Sequence, residues 1–87
     1  QREDALLLSL SLFAGKSLVD EKGIRNVDRI KSEVTGILTS GRCVRLNYVE
    51  VVNGENMDPE PEVVPGRSMI VVAAWIDEVR LIDNVML

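Results

Sequence analysis

From Ser68 to Met86 the chain reads as a β-hairpin. Ser68–Ile76 (SMIVVAAWI) and Val79–Met86 (VRLIDNVM) are apolar, β-rich runs on either side of the turn pair Asp77-Glu78. The first run is apolar on both faces, the pattern of a central strand covered on both sides. The second alternates, with Val79, Leu81 and Val85 pointing one way.

The chain upstream supplies the partners. Residues 43–52 (CVRLNYVEVV) predict a strand whose alternation, Val44-Leu46-Tyr48, slips one step to Val49-Val51. A slip of one residue turns side chains to the other face, so either a bulge or a strand covered on both faces is expected near Tyr48. Residues 53–67 hold Gly54, Pro59, Pro61, Pro65 and Gly66 and predict a loop. Residues 2–21 predict a helix free of proline, with Gly23 after Lys22 in the place of a C-terminal cap. A second helix starts near Asn26, an N-cap with Asp28 in the first turn, and stops at Gly41. Its apolar positions Val27, Ile30, Val34, Ile37 and Leu38 recur at helical spacing. The expected fold is α+β: a helical hairpin packed on a three-stranded antiparallel sheet. Residues 1–87 form a single domain, and the Pro/Glu-rich segment 58–65 is too short to divide it.

The first helix carries apolar residues on two sides. At 100° per residue, Leu6, Leu7, Leu10, Phe13, Ala14 and Leu18 share one broad face. Ala5, Leu8, Leu12 and Val19 form a second stripe roughly opposite. One reading sandwiches the helix between its partner helix and the sheet. The other makes Ala5, Leu8, Leu12 and Val19 a domain-docking stripe for a further domain or chain, through which the isolated domain would self-associate.

Composition narrows the function classes. A net charge of −4 argues against nucleic acid, which calls for a basic stripe. The leucine-rich start is too broken by serines to be a signal core or a membrane span. One cysteine, Cys43, allows no internal disulfide and fits a reducing cytoplasm. The sequence contains no histidine, so no imidazole acid–base or metal chemistry is available. Its glycines sit in no phosphate-loop frame, its acids show no ligand spacing, and Cys43 has no base beside it. The reading is therefore catalytic residues none, substrate-binding residues none, metal ligands none. Glu50, Glu55, Asp58, Glu60 and Glu62 read as a solvated, flexible acidic stretch, and Trp75 as core or interface. Asp83 shares a face with Leu81 and Val85. A carboxylate there needs a partner, and the expectation is a structural one: a backbone turn, or pairing with Arg80 or Arg45. Arg80, Asp83 and Asn84 are thus expected to be structural.

The run Val72–Trp75 (VAAW), a short turn, then Arg80–Asn84 (RLIDN) resembles the end of the pantothenate synthetase family. Asn47-Tyr48-Val49-Glu50-Val51 is similar to that family's "DY-x-E" strand. Asn53 stands where the family often has an aspartate. Met57-Asp58-Pro59 resembles its "Leu-x-Pro" segment. Gln1-Arg2 and the helix after it resemble the segment that succeeds its "KMSKS"-like loop. The resemblance implies the C-terminal lid domain of a larger ATP-dependent ligase, with an N-terminal nucleotide-binding domain as its partner; a chain starting at glutamine reads as a fragment or processed product. It implies that the parent makes pantothenate for coenzyme A from pantoate and β-alanine, with ATP and magnesium, through a pantoyl adenylate, releasing AMP and pyrophosphate. The family's "HxGH" motif cannot be present here, and the junction loop lies before Gln1. The resemblance therefore assigns no active-site residue, and the fragment alone is expected to be inactive. The alternative is a stand-alone protein-interaction module using a sheet edge or the first helix.

Overall fold

The computed structural model describes residues 2–41 and 43–87, with side chains from Leu6 onward. Two helices, α1 (Arg2–Asp20) and α2 (Val27–Leu38), precede three strands, β1 (Val44–Asn53), β2 (Ser68–Ile76) and β3 (Val79–Met86). The sheet is antiparallel in the order β1-β2-β3, with α1 against β2 and β3, and α2 against α1 and β1. The α+β architecture read from the sequence is the one observed.

Local chemistry sets the boundaries. Gly23 takes a left-handed φ of 66° just beyond α1, and Arg25 Nη1 donates to the carbonyl of Val19 at 3.4 Å. Both answer the unsatisfied carbonyls and negative end of a helix C-terminus. Asn26 caps α2, its side chain accepting the N–H of Arg29 at 3.0 Å. Leu46 pairs with Ala74 and Tyr48 with Ala73, which leaves Asn47 as the extra residue of a bulge. The expected slip thus falls one residue before Tyr48. Asp77 turns the hairpin with a φ of 55°.

The core lies between the helices and one sheet face. Ile30, Val34 and Leu38 of α2 and Ile70, Val72 and Ala74 of β2 are fully buried. At Gly15, α1 packs tightly against α2 and β2. A Cβ there would stand 2.7 Å from Ile70 Cδ1 and 3.0 Å from Val34 Cγ2, so only a bare α-carbon fits without rearrangement. Ser11, also fully buried, satisfies its hydroxyl on the carbonyl of Leu8 at 2.8 Å. These two small residues fix which side of α1 faces inward.

That orientation overturns the expected docking stripe. Leu8, Leu12 and Val19 flank Ser11 and Gly15 and belong to the core, so they are not offered to a partner. Ala5 lies outside the residues whose side chains are described. The opposite side of α1 faces solvent: Leu6, Leu10 and Phe13 are 59%, 57% and 69% exposed.

The loop between β1 and β2 differs from the flexible acidic stretch expected of it. It runs back along β1, with the Asn53 N–H bonded to Asp58 O at 2.8 Å and the Glu60 N–H to Val51 O at 3.0 Å. Glu60 is buried and accepts a two-pronged bond from Arg67, Nε to Oε1 at 3.1 Å and Nη2 to Oε2 at 3.0 Å. Asn53 Oδ1 accepts the N–H groups of Glu55 and Asn56 and closes the turn that starts the loop.

Candidate functional site

The helices occupy one face of the sheet. Register places the other face residue by residue, because directly paired residues point the same way. On β2 it holds Met69, Val71, Ala73 and Trp75, none of them polar. Each is flanked across the strands: Trp75 by Arg45 and Arg80, Ala73 by Tyr48 and Ile82, Val71 by Glu50 and Asn84, Met69 by Val52 and Met86. Val71 and Ala73 are shielded by these neighbours, while Ile82 and Met86 are 57% and 44% exposed.

Trp75, expected as core or interface, is half-buried on this face. The Arg45 guanidinium lies 5.6 Å from the centroid of its ring, a cation–π distance. Arg80 Nη2 donates to Asn47 Oδ1 at 3.0 Å, tying β3 to the bulge of β1 across the width of the sheet. Neither Arg45 nor Arg80 lies within ion-pair distance of a carboxylate among the described residues.

Asp83 does not pair with an arginine. It is paired with Val72 in the sheet and so points to the helix side, whereas Arg80 and Arg45 both point to the other. Strand alternation alone forbids the contact. Its Oδ1 instead accepts the N–H of Asn84 at 2.8 Å. Leu87 donates to Ser68 O, so Arg80, Ile82, Asn84 and Met86, which alternate with it, turn their backbone groups away from β2. Asp83 therefore covers one edge donor, and Lys16 Nζ covers the carbonyl of Met86 at 3.1 Å. Asn84 is exposed and carries this capped amide.

The surface of the described residues includes two depressions. One, of about 190 Å³, lies between α1 and β3 and is lined by Ser9, Leu12, Phe13, Asp83, Asn84 and Val85. The other, of about 330 Å³, lies at the start of α2 between Asn26-Val27-Asp28 and Glu60-Pro61-Glu62. Its acids form no metal site: among the described residues no group of three His, Cys, Asp or Glu side chains is placed to hold an ion. Cys43 is exposed at the foot of β1. Among the described residues no helix is long and apolar enough to cross a membrane.

The resemblance in the sequence is matched at every level of comparison. Residues 1–86 match the family model for pantoate-beta-alanine ligase. The pantothenate synthetase of Pseudothermotoga lettingae is 34% identical over 87 residues, and that of Leptospira interrogans 37%. Each alignment takes in all of this chain but 30% of the relative, so the chain spans less than a third of their length. The crystal structure of pantothenate synthetase from Thermus thermophilus superposes with a TM-score of 0.84 at 28% identity, over 98% of this chain and 30% of that one. A family match over nearly every residue, with the same helix pair and three-stranded sheet, places this chain in the pantoate–β-alanine ligase family.

Proposed function

We propose that this chain is the C-terminal lid domain of a pantothenate synthetase. The observation that carries the reading is the match over residues 1–86 to just 30% of the relatives' length. In the longer enzyme a carboxylate oxygen of pantoate attacks the α-phosphorus of ATP, and pyrophosphate leaves. The amine of β-alanine then attacks the acyl carbon of the pantoyl adenylate, and AMP leaves. ATP, magnesium and both substrates belong to the rest of that enzyme. The sequence here has no histidine and no phosphate-binding glycine loop.

A domain without catalytic groups serves such a reaction by covering it. An acyl adenylate is destroyed by water, and a small rigid unit that closes over the site keeps water out. The fully buried core and the anchored loop support the reading, because a lid must move as one body. A cytoplasmic setting suits an enzyme fed by ATP.

The stand-alone interaction module is the weaker reading. A strand-adding partner needs a free edge, and β3 has its Asn84 N–H and Met86 carbonyl capped by Asp83 and Lys16. The other edge, β1, is partly covered by the loop at Asp58 and Glu60.

The test is to combine this chain with the missing portion of the enzyme and to measure AMP and pantothenate separately. Without this domain, adenylate is lost to water and AMP exceeds pantothenate; with it, the two approach equality. Titration calorimetry of ATP into the 87-residue chain should give no binding heat. Micromolar affinity for ATP would overturn the assignment.

A further inference from the structure

The sheet face opposite the helices is built as an interface. An antiparallel sheet with one wet face alternates apolar inside and polar outside. β2 breaks that pattern, since its outward residues Met69, Val71, Ala73 and Trp75 are all apolar. The flanking strands add Tyr48, Ile82 and Met86 to them. Trp, Tyr, Met and Arg are the residues enriched in protein interfaces, and acids are depleted there. The face holds one acid, Glu50, and that is already paired with Lys31 at 3.5 Å.

Charge states what the partner must bring. Arg45 and Arg80 bracket Trp75 at one end of the face. One guanidinium lies over the indole and the other donates to Asn47, so each has a contact that draws it toward this end of the face. Two neighbouring guanidiniums without a carboxylate partner among the described residues can receive one.

Area states which partner. Four rungs about 7 Å apart on three strands about 4.8 Å apart make a patch of roughly 400 Å². A stable complex between separate proteins buries about 800 Å² on each side, whereas contacts between domains of one chain start near 600 Å² in total. The patch suits the second case. More than two thirds of the relatives' length lies outside this chain. We propose that the open sheet face seats the remainder of a family-length polypeptide, with apolar residues of that part over Ala73 and Ile82 and one of its carboxylates between Arg45 and Arg80.

The inference rests on the chain being one part of a longer ligase, and the experiment separates the two ideas. In the full-length polypeptide carrying Cys43→Ser, Ile82→Cys is labelled with a maleimide at that position and compared with Glu78→Cys, exposed at the turn of the same hairpin. Seating of the face should slow labelling at position 82 by roughly tenfold or more, the fraction of time the contact is open setting the rate. Arg45→Glu should return position 82 to the rate of the turn. Equal rates at 82 and 78 in the unaltered background overturn the proposal. So does protection that appears only when sedimentation shows a dimer, because the occupant is then a second copy. Loss of ligase activity in the full-length polypeptide, with protection intact, would count against the lid function and leave the interface standing.

Discussion

The two faces of the sheet share one central strand and differ in what completes them. Towards the helices, Ile70, Val72 and Ala74 are fully buried against Ile30, Val34 and Leu38. Away from the helices, Val71 and Ala73 are buried with no helix over them, and Ile82 and Met86 stand out into solvent. The strand is equally apolar on both faces. One face therefore spends its hydrophobicity on folding, and the other holds it for association. The lesson is that apolar pattern reports burial somewhere, and only the helices' placement says where.

The largest effect should come from emptying the covered face. Ile70→Ala removes a fully buried side chain that packs against α1 at Gly15. Large-to-small changes at such sites cost about 2–5 kcal/mol. Urea denaturation should show a loss in that range. A loss under about 1 kcal/mol would mean that the two faces are not energetically distinct, since sites able to collapse lose least.

Much of this was legible before the structure. α2 and the hairpin β2–β3 announce themselves because their periods are clean and their stops are chemical: Asn26 at one end, Asp77-Glu78 in the turn. The face of α1 was not legible from hydrophobicity, because both sides are apolar. The deciding residues are Ser11 and Gly15, whose smallness lets α1 approach α2 and the sheet, and a count of leucines passes over them. The inward setting of Glu60 depends on Arg67, seven residues away across a chain reversal, and no local pattern encodes it. The mismatch between Asp83 and Arg80 was readable, since an odd spacing on one strand puts two residues on opposite faces.

A middle-sized effect tests the role given to Gly15. Gly15→Val would drive methyl groups into Ile70 and Val34, and over-packing of this kind costs about 1–3 kcal/mol. Gly15→Ala should cost less, because alanine gains up to about 1 kcal/mol of helix propensity over glycine. A valine variant as stable as the parent, judged by thermal unfolding, would show that α1 is free to shift, and the buried identity of Leu8, Leu12 and Val19 would lose its cause.

The smallest effects belong on the exposed side of the comparison, and there the sign of the argument reverses. Phe13→Ser removes the one aromatic of α1, which is 69% accessible. Surface substitutions away from special features usually stay within about 0.5 kcal/mol, so unfolding of the 87-residue chain should barely change. Ile82→Thr, 57% accessible on the open sheet face, should be equally mild in that chain, and threonine keeps the β-branching that suits a strand. The two variants should part company in the full-length polypeptide. If the open face is seated there, Ile82→Thr takes the ethyl arm of isoleucine out of a buried contact and puts a hydroxyl in its place, at a cost of about 1–3 kcal/mol for the unpartnered polar group alone. Phe13→Ser should remain near zero if the α1 stripe stays in water. Equal behaviour of the two variants in the long protein would erase the distinction between a face that waits for a partner and a stripe that merely meets solvent.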